Sequence, residues 1–227
     1  MLNTEINIVC VTYQRYRSIH VLLNSFLCQT FENWKLIVIH DGPDETMERI
    51  VGEYQRRDAR IRYQQTERRY NDYGYSLRQI GLDQADADFI MFTNDDNYYA
   101  PKFLHYMFEA IRRDDLDLVL CNMIHSHKRP GKYKQDDYHL FESYPKRKYI
   151  DIGNFIVRTR LAQSVGFQDK GYTADGDFID RLVACCNVEN LIPYWKWRLY
   201  LWLTQRHKPG APRLRIGKIN RVLFVHN

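Results

Sequence analysis

An α/β fold, with a mostly parallel sheet and helices on both of its faces, is the architecture this 227-residue sequence predicts. Three features carry the prediction. Short β-branched apolar runs recur through the first half, segments of helical period separate them, and each run stops abruptly at a polar group. Crossovers of this kind between parallel strands are right-handed, which places helices on both faces.

The elements follow in order. Ile6-Asn7-Ile8-Val9-Cys10-Val11 reads as a strand buried on both faces, ending at Thr12-Tyr13-Gln14-Arg15. From Ser18 to Gln29, Ile19, Leu22, Leu23, Phe26 and Leu27 keep the spacing of an amphipathic helix, with Ser18 as its candidate N-cap. Trp34 to Ile39 is the second strand, stopping at His40-Asp41-Gly42-Pro43, and Glu45 to Arg57 the following helix. Ile61 to Gln65 is a weaker strand, Tyr75 to Ala85 a short helix, and Asp88 to Phe92 the fourth strand. Pro101 to Arg113 reads as a helix with proline in its first turn, and Leu116 to Asn122 as another strand. Asp151 to Arg158 reads as a strand returning toward the others, and His125 to Lys148, with Pro130-Gly131 at its centre, as a mobile loop or hairpin.

Composition bounds the rest. A hydrophobic content of 44% suffices for one sizeable core, so a single domain over 1–227 is expected. No apolar run reaches about 18 residues, and Met1-Leu2-Asn3-Thr4-Glu5 lacks the charged-then-apolar character of a leader, so no transmembrane segment and a cytoplasmic location are expected. Five cysteines without a CxxC pair fit a reducing compartment and argue against cysteine-held zinc. Charge is uneven: residues 190–227 carry eight basic and no acidic side chains, leaving a net −3 on the first 189. Such a segment can meet nucleic acid, an anionic membrane surface or phosphates, or be a solvated face. Within it, Pro193 to Leu203 interleaves three tryptophans with Lys196 and Arg198, which suits a peripheral membrane contact, stacked rings or an amphipathic helix on the sheet.

The most informative stretch is Phe92-Thr93-Asn94-Asp95-Asp96-Asn97, an acidic pair closing an apolar strand. It delivers hard oxygen ligands to the sheet rim, where a divalent cation can hold a diphosphate. It is also ordinary turn chemistry. In open parallel sheets the ligand lies beyond the carboxyl ends of the strands, and Tyr13, Asp41 and Asp95 with Asp96 each stand at such an end.

Val9 to Arg15, Gln29-Thr30-Phe31, Val38-Ile39-His40-Asp41-Gly42, Gly74 to Leu82 and Asn94-Asp95-Asp96, in this order, resemble the inverting family 2 glycosyltransferases of the GT-A type, a Rossmann-like α/β fold. His40, Gln79 and Gly176 depart from that pattern, standing where an acid, an asparagine and a glutamate are usual. The resemblance implies a nucleotide-sugar donor, expected to be UDP-linked, bound by residues 1–122, and an acceptor bound by 123–227. Thr12, Tyr13, Arg15, Asp41, Arg68 (or Arg69), Arg78, Asn94 and Asp95 are the implied donor contacts, with Tyr13 and Asp41 offering a flat surface and an acceptor for a uracil ring. The lesser alternative for Tyr13 and Asp41 is a pair of turn residues, and for Arg68, Arg69 and Arg78 a solvated helix face. The resemblance further implies Mn2+ or Mg2+ on Asp96 and His226, with His207 as the competing histidine. It implies Asp177 as the general base, and acceptor contacts at Gly153, Asn154 and Asp175. Asp175 can instead be the helix N-cap, with Asp180 on the following turn, so the acidic cluster alone does not identify the base.

The acceptor is expected to be a glycan or lipid-linked sugar, with a polyanion such as modified DNA compatible with the basic segment. A nucleotidyltransferase would be expected to carry a Gly-rich phosphate loop near Thr12, which this chain lacks. A non-catalytic nucleic-acid or membrane-surface module explains the basic segment but leaves the acidic strand ends without a purpose. Oligomeric state is not legible.

Overall fold

The computed structural model describes residues 6–125, 138–168, 174–192, 201 and 207–226. The elements are β1 (Ile6–Thr12), α1 (Ser18–Leu27), β2 (Trp34–His40), α2 (Glu45–Arg57), β3 (Ile61–Gln65), α3 (Tyr75–Asp83), β4 (Phe89–Asn94) and β5 (Asn97–Tyr99). They continue with α4 (Phe103–Asp114), β6 (Leu118–His125), β7 (His139–Phe141), β8 (Phe155–Arg158), α5 (Thr159–Val165), α6 (Ala174–Cys185), β9 (Asn187–Asn190) and β10 (Arg213–His226).

The sheet runs β3-β2-β1-β4-β8-β6-β10-β5, with β7 on β6 and β9 on β10. Its first four strands are mutually parallel, as the apolar runs separated by helices predict. β8 is antiparallel to both β4 and β6, and β5 antiparallel to β10. Alternation along β1 splits the core in two: Ile8 and Cys10 join α1, α2 and α4 on one face, while Val9 and Val11 join α3, α5 and α6 on the other. Helices on both faces are therefore what the strand periodicity requires.

Local expectations needed correction where side chains override pattern. Ser18 opens α1 but does not cap it. Arg17 is the N-cap, and the Ser18 hydroxyl is spent as a donor to the Arg15 carbonyl at 3.4 Å. α4 begins at Phe103, two residues after Pro101, because Ala100 to Phe103 closes a turn first. The strand expected over Asp151 to Arg158 covers only Phe155–Arg158. Asp151 folds back so that its Oδ1 accepts from Gly153 N at 2.8 Å, an Asx turn that precludes extended pairing. The closing strand β10 pairs with β9 through Arg213 to Ile216 and with β6 from Ile216 to His226. Only the ends of the segment from His125 to Lys148 are described, and there β6 and β7 pair antiparallel, His125 opposite His139, as in a hairpin. The tryptophans between Pro193 and Leu203 lie outside the described residues, where Leu201 alone is described and is buried in the second core.

Candidate functional site at the carboxyl ends of the strands

Register brings the polar strand stops together. Thr12 is the partner of His40 on β2, and Val11 of Asn94 on β4, so the residues that follow, Asp41 and Asp95, flank the end of β1. Neighbouring strands are about 4.8 Å apart, which gathers residues more than 80 positions distant in sequence.

Asp95 is 3% exposed and accepts a short 2.5 Å hydrogen bond from Thr12 Oγ1. Burial pushes its carboxyl up to about 7, against the opposing pull of Thr12 and the Arg15 guanidinium. Arg15 Nη1 reaches both members of the pair, Asp95 Oδ1 at 3.4 Å and Asp96 Oδ2 in direct contact. Asp96 Oδ1 is buried and has no hydrogen-bond partner among the described residues. A buried anionic oxygen without a donor is costly, and a divalent cation would satisfy it, so Asp96 fits the cation that the acidic pair suggests.

At the other strand end the two oxygens of Asp41 accept the backbone N–H groups of Tyr70 (2.7 Å) and Asn71 (2.9 Å). The loop after β3 is thereby folded over the end of β2. The guanidinium of Arg69 lies 3.7 Å above the ring of Tyr13 and 3.9 Å from Asp41 Oδ2, whereas Arg68 turns outward onto Tyr70. His40, in the place of an acid, is buried, with Nδ1 2.7 Å from the Gly42 carbonyl and Nε2 accepting from Gln14 N at 3.2 Å. It packs beneath Tyr13, ring centres 5.7 Å apart. Arg78 is buried rather than solvated, donating to Tyr73 O (2.8 Å) and to Asn94 Oδ1 (2.7 Å). Gln79 accepts from Phe167 N at 2.7 Å, tying α3 to the chain after α5.

The second half contributes α6. Phe178 packs on Phe92, three residues before Asp95, which brings the first turn of α6 to the core beneath that strand end. Asp177 precedes Phe178, and two arginines hold it. Arg181 Nε donates to Oδ2 at 2.8 Å, and Arg147 Nη2 lies 3.4 Å from Oδ1. Arg181 also caps α5, donating to the carbonyls of Val165 (2.6 Å) and Gly166 (2.7 Å). Asp175 falls in α6, but its side chain lies outside the described residues. Asn154 is fully buried, its amide donating to Ser143 Oγ at 2.6 Å. A Cβ at Gly153 would stand 2.7 Å from Tyr99 Oη and 2.9 Å from Phe224 Cζ, so the absence of a side chain there permits close packing of the turn on β5 and β10.

β10 carries His226 to the partner position of Asn97, next to Asp96, and of His125 on β6. His207 is exposed near the opposite end of that strand, roughly 40 Å away at the rise of an extended chain. Of the two histidines, only His226 shares the rim of the acidic pair. Its ring stacks on His125, centres 4.6 Å apart, and its Nδ1 stands 3.4 Å from Asp151 Oδ2.

The sequence pattern of the family described as Glycosyl transferase family 2 matches residues 7–169. The chain belongs to that family. This family 2 chain is 27% identical over 151 residues to the "Putative glycosyltransferase EpsH" of Bacillus subtilis, covering 66% of this chain and 43% of that protein. It is also 27% identical over 167 residues to the "Chondroitin synthase" of Escherichia coli, 70% of this chain and 22% of the other. It thus spans less than half the length of these relatives. The fold matches S. aureus TarS residues 1–349 in complex with UDP at a TM-score of 0.69, with 20% identity, over 98% of this chain and 60% of that one. The Pyrobaculum calidifontis mannosyltransferase PcManGT, in complex with GDP-Man and Mn2+, gives 0.65 at 12% identity over 97% and 56%. These neighbours establish the GT-A architecture of the family 2 chain. Among its described residues no helix is long and apolar enough to cross a membrane.

Sequence reasoning missed several of the groups around this site. Arg147 on Asp177, and Asp151 and His125 beside His226, carry no local signature. Arg181 could have been found as the i, i+4 partner of Asp177 on a helix.

Proposed function

We propose that the chain is a divalent-metal-dependent glycosyltransferase that moves a sugar from a nucleotide-sugar donor, UDP-linked, to an acceptor hydroxyl with inversion. The observation that carries this reading is the convergence of Thr12, Asp41, Asp95 and Asp96 at adjacent strand ends, with one buried Asp96 oxygen unsatisfied. Membership in the family supports it, and so do UDP, UDP-GlcNAc, and GDP-Man with Mn2+ in the complexes of its structural neighbours.

In this reading Tyr13 and Asp41 receive the base, with Arg69 more directly placed than Arg68, since it already covers the Tyr13 ring. Thr12 and Asp95 meet the ribose, and Asn94 holds Arg78 at the donor's edge. Asp96 and His226 would hold Mn2+ or Mg2+, which when bound neutralises charge on the departing nucleoside diphosphate. Arg15, paired with both acids, is displaced toward the phosphates, where a guanidinium matches oxyanions bidentately.

Asp177 is the proposed base. Its Oδ2 is held tightly by Arg181, while Oδ1, with the looser contact to Arg147, takes the acceptor proton. The acceptor oxygen then bonds to the anomeric carbon as the bond from that carbon to the diphosphate oxygen breaks on the opposite side, inverting the centre. Gly153 and Asn154 support the acceptor side by fixing the Asp151 turn rather than by touching the acceptor, and Asp175 is the remaining acceptor contact.

A glycan or lipid-linked sugar is the favoured acceptor, because folding pairs two of the eight basic residues of the segment with acids. Arg213 and Arg215 of β10 pair with Asp115 and Glu189. Incubation with Mn2+ and a panel of nucleotide sugars, measuring released nucleotide, tests the reading. Slow hydrolysis of one UDP-sugar is expected, and no turnover or binding of any donor would refute it.

A further inference from the structure

A second polar cluster lies beside the acidic pair. His125 ends β6 and His226 ends β10, and the two are partners in parallel register, so their side chains emerge on the same face about 4.8 Å apart. Their rings lie 4.6 Å apart and 5° from parallel. Asp151, on the turn before β8, points Oδ2 to within 3.4 Å of His226 Nδ1. One ligand atom from each of the three lies within 4.8 Å of the other two.

The surroundings are those of a built site. His125 is 5% and Asp151 8% exposed. Asp151 Oδ1 accepts from Gly153 N at 2.8 Å, which fixes the carboxylate and leaves Oδ2 facing the imidazoles. Phe141 packs against the His125 ring and Phe224 edge-on to the His226 ring, centres 6.1 and 6.3 Å away, and they lower the local dielectric. Each residue comes from a different segment of backbone, so an ion bound among them would tie β6, β10 and the Asp151 turn together.

We infer that His125, Asp151 and His226 form a binding site for a borderline divalent transition cation, Zn2+ or Co2+, that needs neither nucleotide nor Asp96. Two imidazoles and one carboxylate favour such ions over Mg2+ or Ca2+, which take all-oxygen shells. Metal–nitrogen bonds of 2.0–2.1 Å place tetrahedral ligand atoms about 3.3 Å apart, so small side-chain rotations bring these three together around an ion. The inference shares His226 with the proposed function but does not rest on it. A cation held by Asp96 and a donor diphosphate requires the diphosphate, whereas this one does not.

Equilibrium dialysis of the full chain against Co2+ and Zn2+, without nucleotide, tests the site, with the visible absorption of bound Co2+ reporting its nitrogen ligands. The expected result is one ion per chain, bound alike by the wild type and Asp96→Asn, and at least about tenfold more weakly by His125→Gln. Asp151→Asn keeps an acceptor for Gly153 N and so preserves the turn, and it too should lose the ion. The melting temperature of the wild type should rise by roughly 5–10 °C at a hundredfold excess of Zn2+ over Kd, and that of His125→Gln should not. Absence of binding, equal binding by His125→Gln and Asp151→Asn, or loss of binding in Asp96→Asn would overturn the assignment.

Discussion

Arg147 lies against the bare α-carbon of Gly176 while its guanidinium reaches Asp177 and Asp180. A Cβ at position 176 would stand 2.6 Å from Arg147 Cγ and 3.0 Å from its Cα. The glycine found where the family usually has a glutamate thus leaves room for an arginine beside the proposed base. Because one of the clashing atoms is backbone, the arginine cannot simply swing aside. Gly176→Ala should therefore cost about 1–3 kcal/mol by overpacking, read as a lower denaturant midpoint at unchanged m-value. Arg147→Gly in the same chain should recover part of that loss. An unchanged midpoint in Gly176→Ala would show that the contact is not tight.

Asp177→Asn should abolish transfer, lowering kcat by about 10² to 10⁴, while UDP binding stays within about twofold of the wild type. Arg181→Lys tests how Asp177 is oriented. A lysine cannot bridge Asp177 and two helix-end carbonyls at once, so kcat should fall with little change in the donor KM. Retention of most activity in Asp177→Asn would move the base elsewhere.

Asp95 makes stability depend on pH. Its carboxyl is raised by burial to about 7, so the folded state binds a proton more tightly than the unfolded chain. Stability from this group is then fully present below the ordinary carboxylate range and is lost as pH climbs toward 7. Without divalent cation, unfolding free energy should fall by on the order of 2–4 kcal/mol between pH 4 and pH 8 on account of Asp95. Asp95→Asn should flatten that slope. Urea titrations at a series of pH values give the answer directly, and an equal slope in both proteins would contradict it.

The basic segment should not behave as a polyanion-binding surface. A site neutralising six or more phosphates loses about 10³ or more in affinity between 50 and 200 mM salt. With Arg213 and Arg215 already paired, donor turnover with the true acceptor should change by less than about threefold over that range. A steep decline would instead point to a nucleic-acid acceptor.

These pairings also mark what the sequence could and could not disclose. The strands of the first half were legible because β-branched apolar runs such as Ile8 to Val11 fit a doubly covered strand. The acidic stop at Asp95-Asp96 was legible because it closes such a run. The excess of positive charge after Asn190 was equally visible, but its partners Asp115 and Glu189 were not, since the contacts depend on β9, β10 and β6 being neighbours. His125 and Asp151 were hidden for the same reason. They meet His226 only through sheet order, across about 75 to 100 residues of chain. Asn154, expected at the acceptor, was legible as polar but not as buried, because its hydrogen bond to Ser143 is tertiary.

The central claim, that Asp96 holds a cation shared with a nucleoside diphosphate, is tested most directly by titrating UDP into the wild type and Asp96→Asn, each with and without Mn2+, in a calorimeter. The account predicts that Mn2+ tightens UDP binding by about tenfold or more in the wild type, about 1.4 kcal/mol, and has no effect on UDP binding in the variant. Equal dependence on Mn2+ in both proteins, or no UDP binding to either, would contradict it.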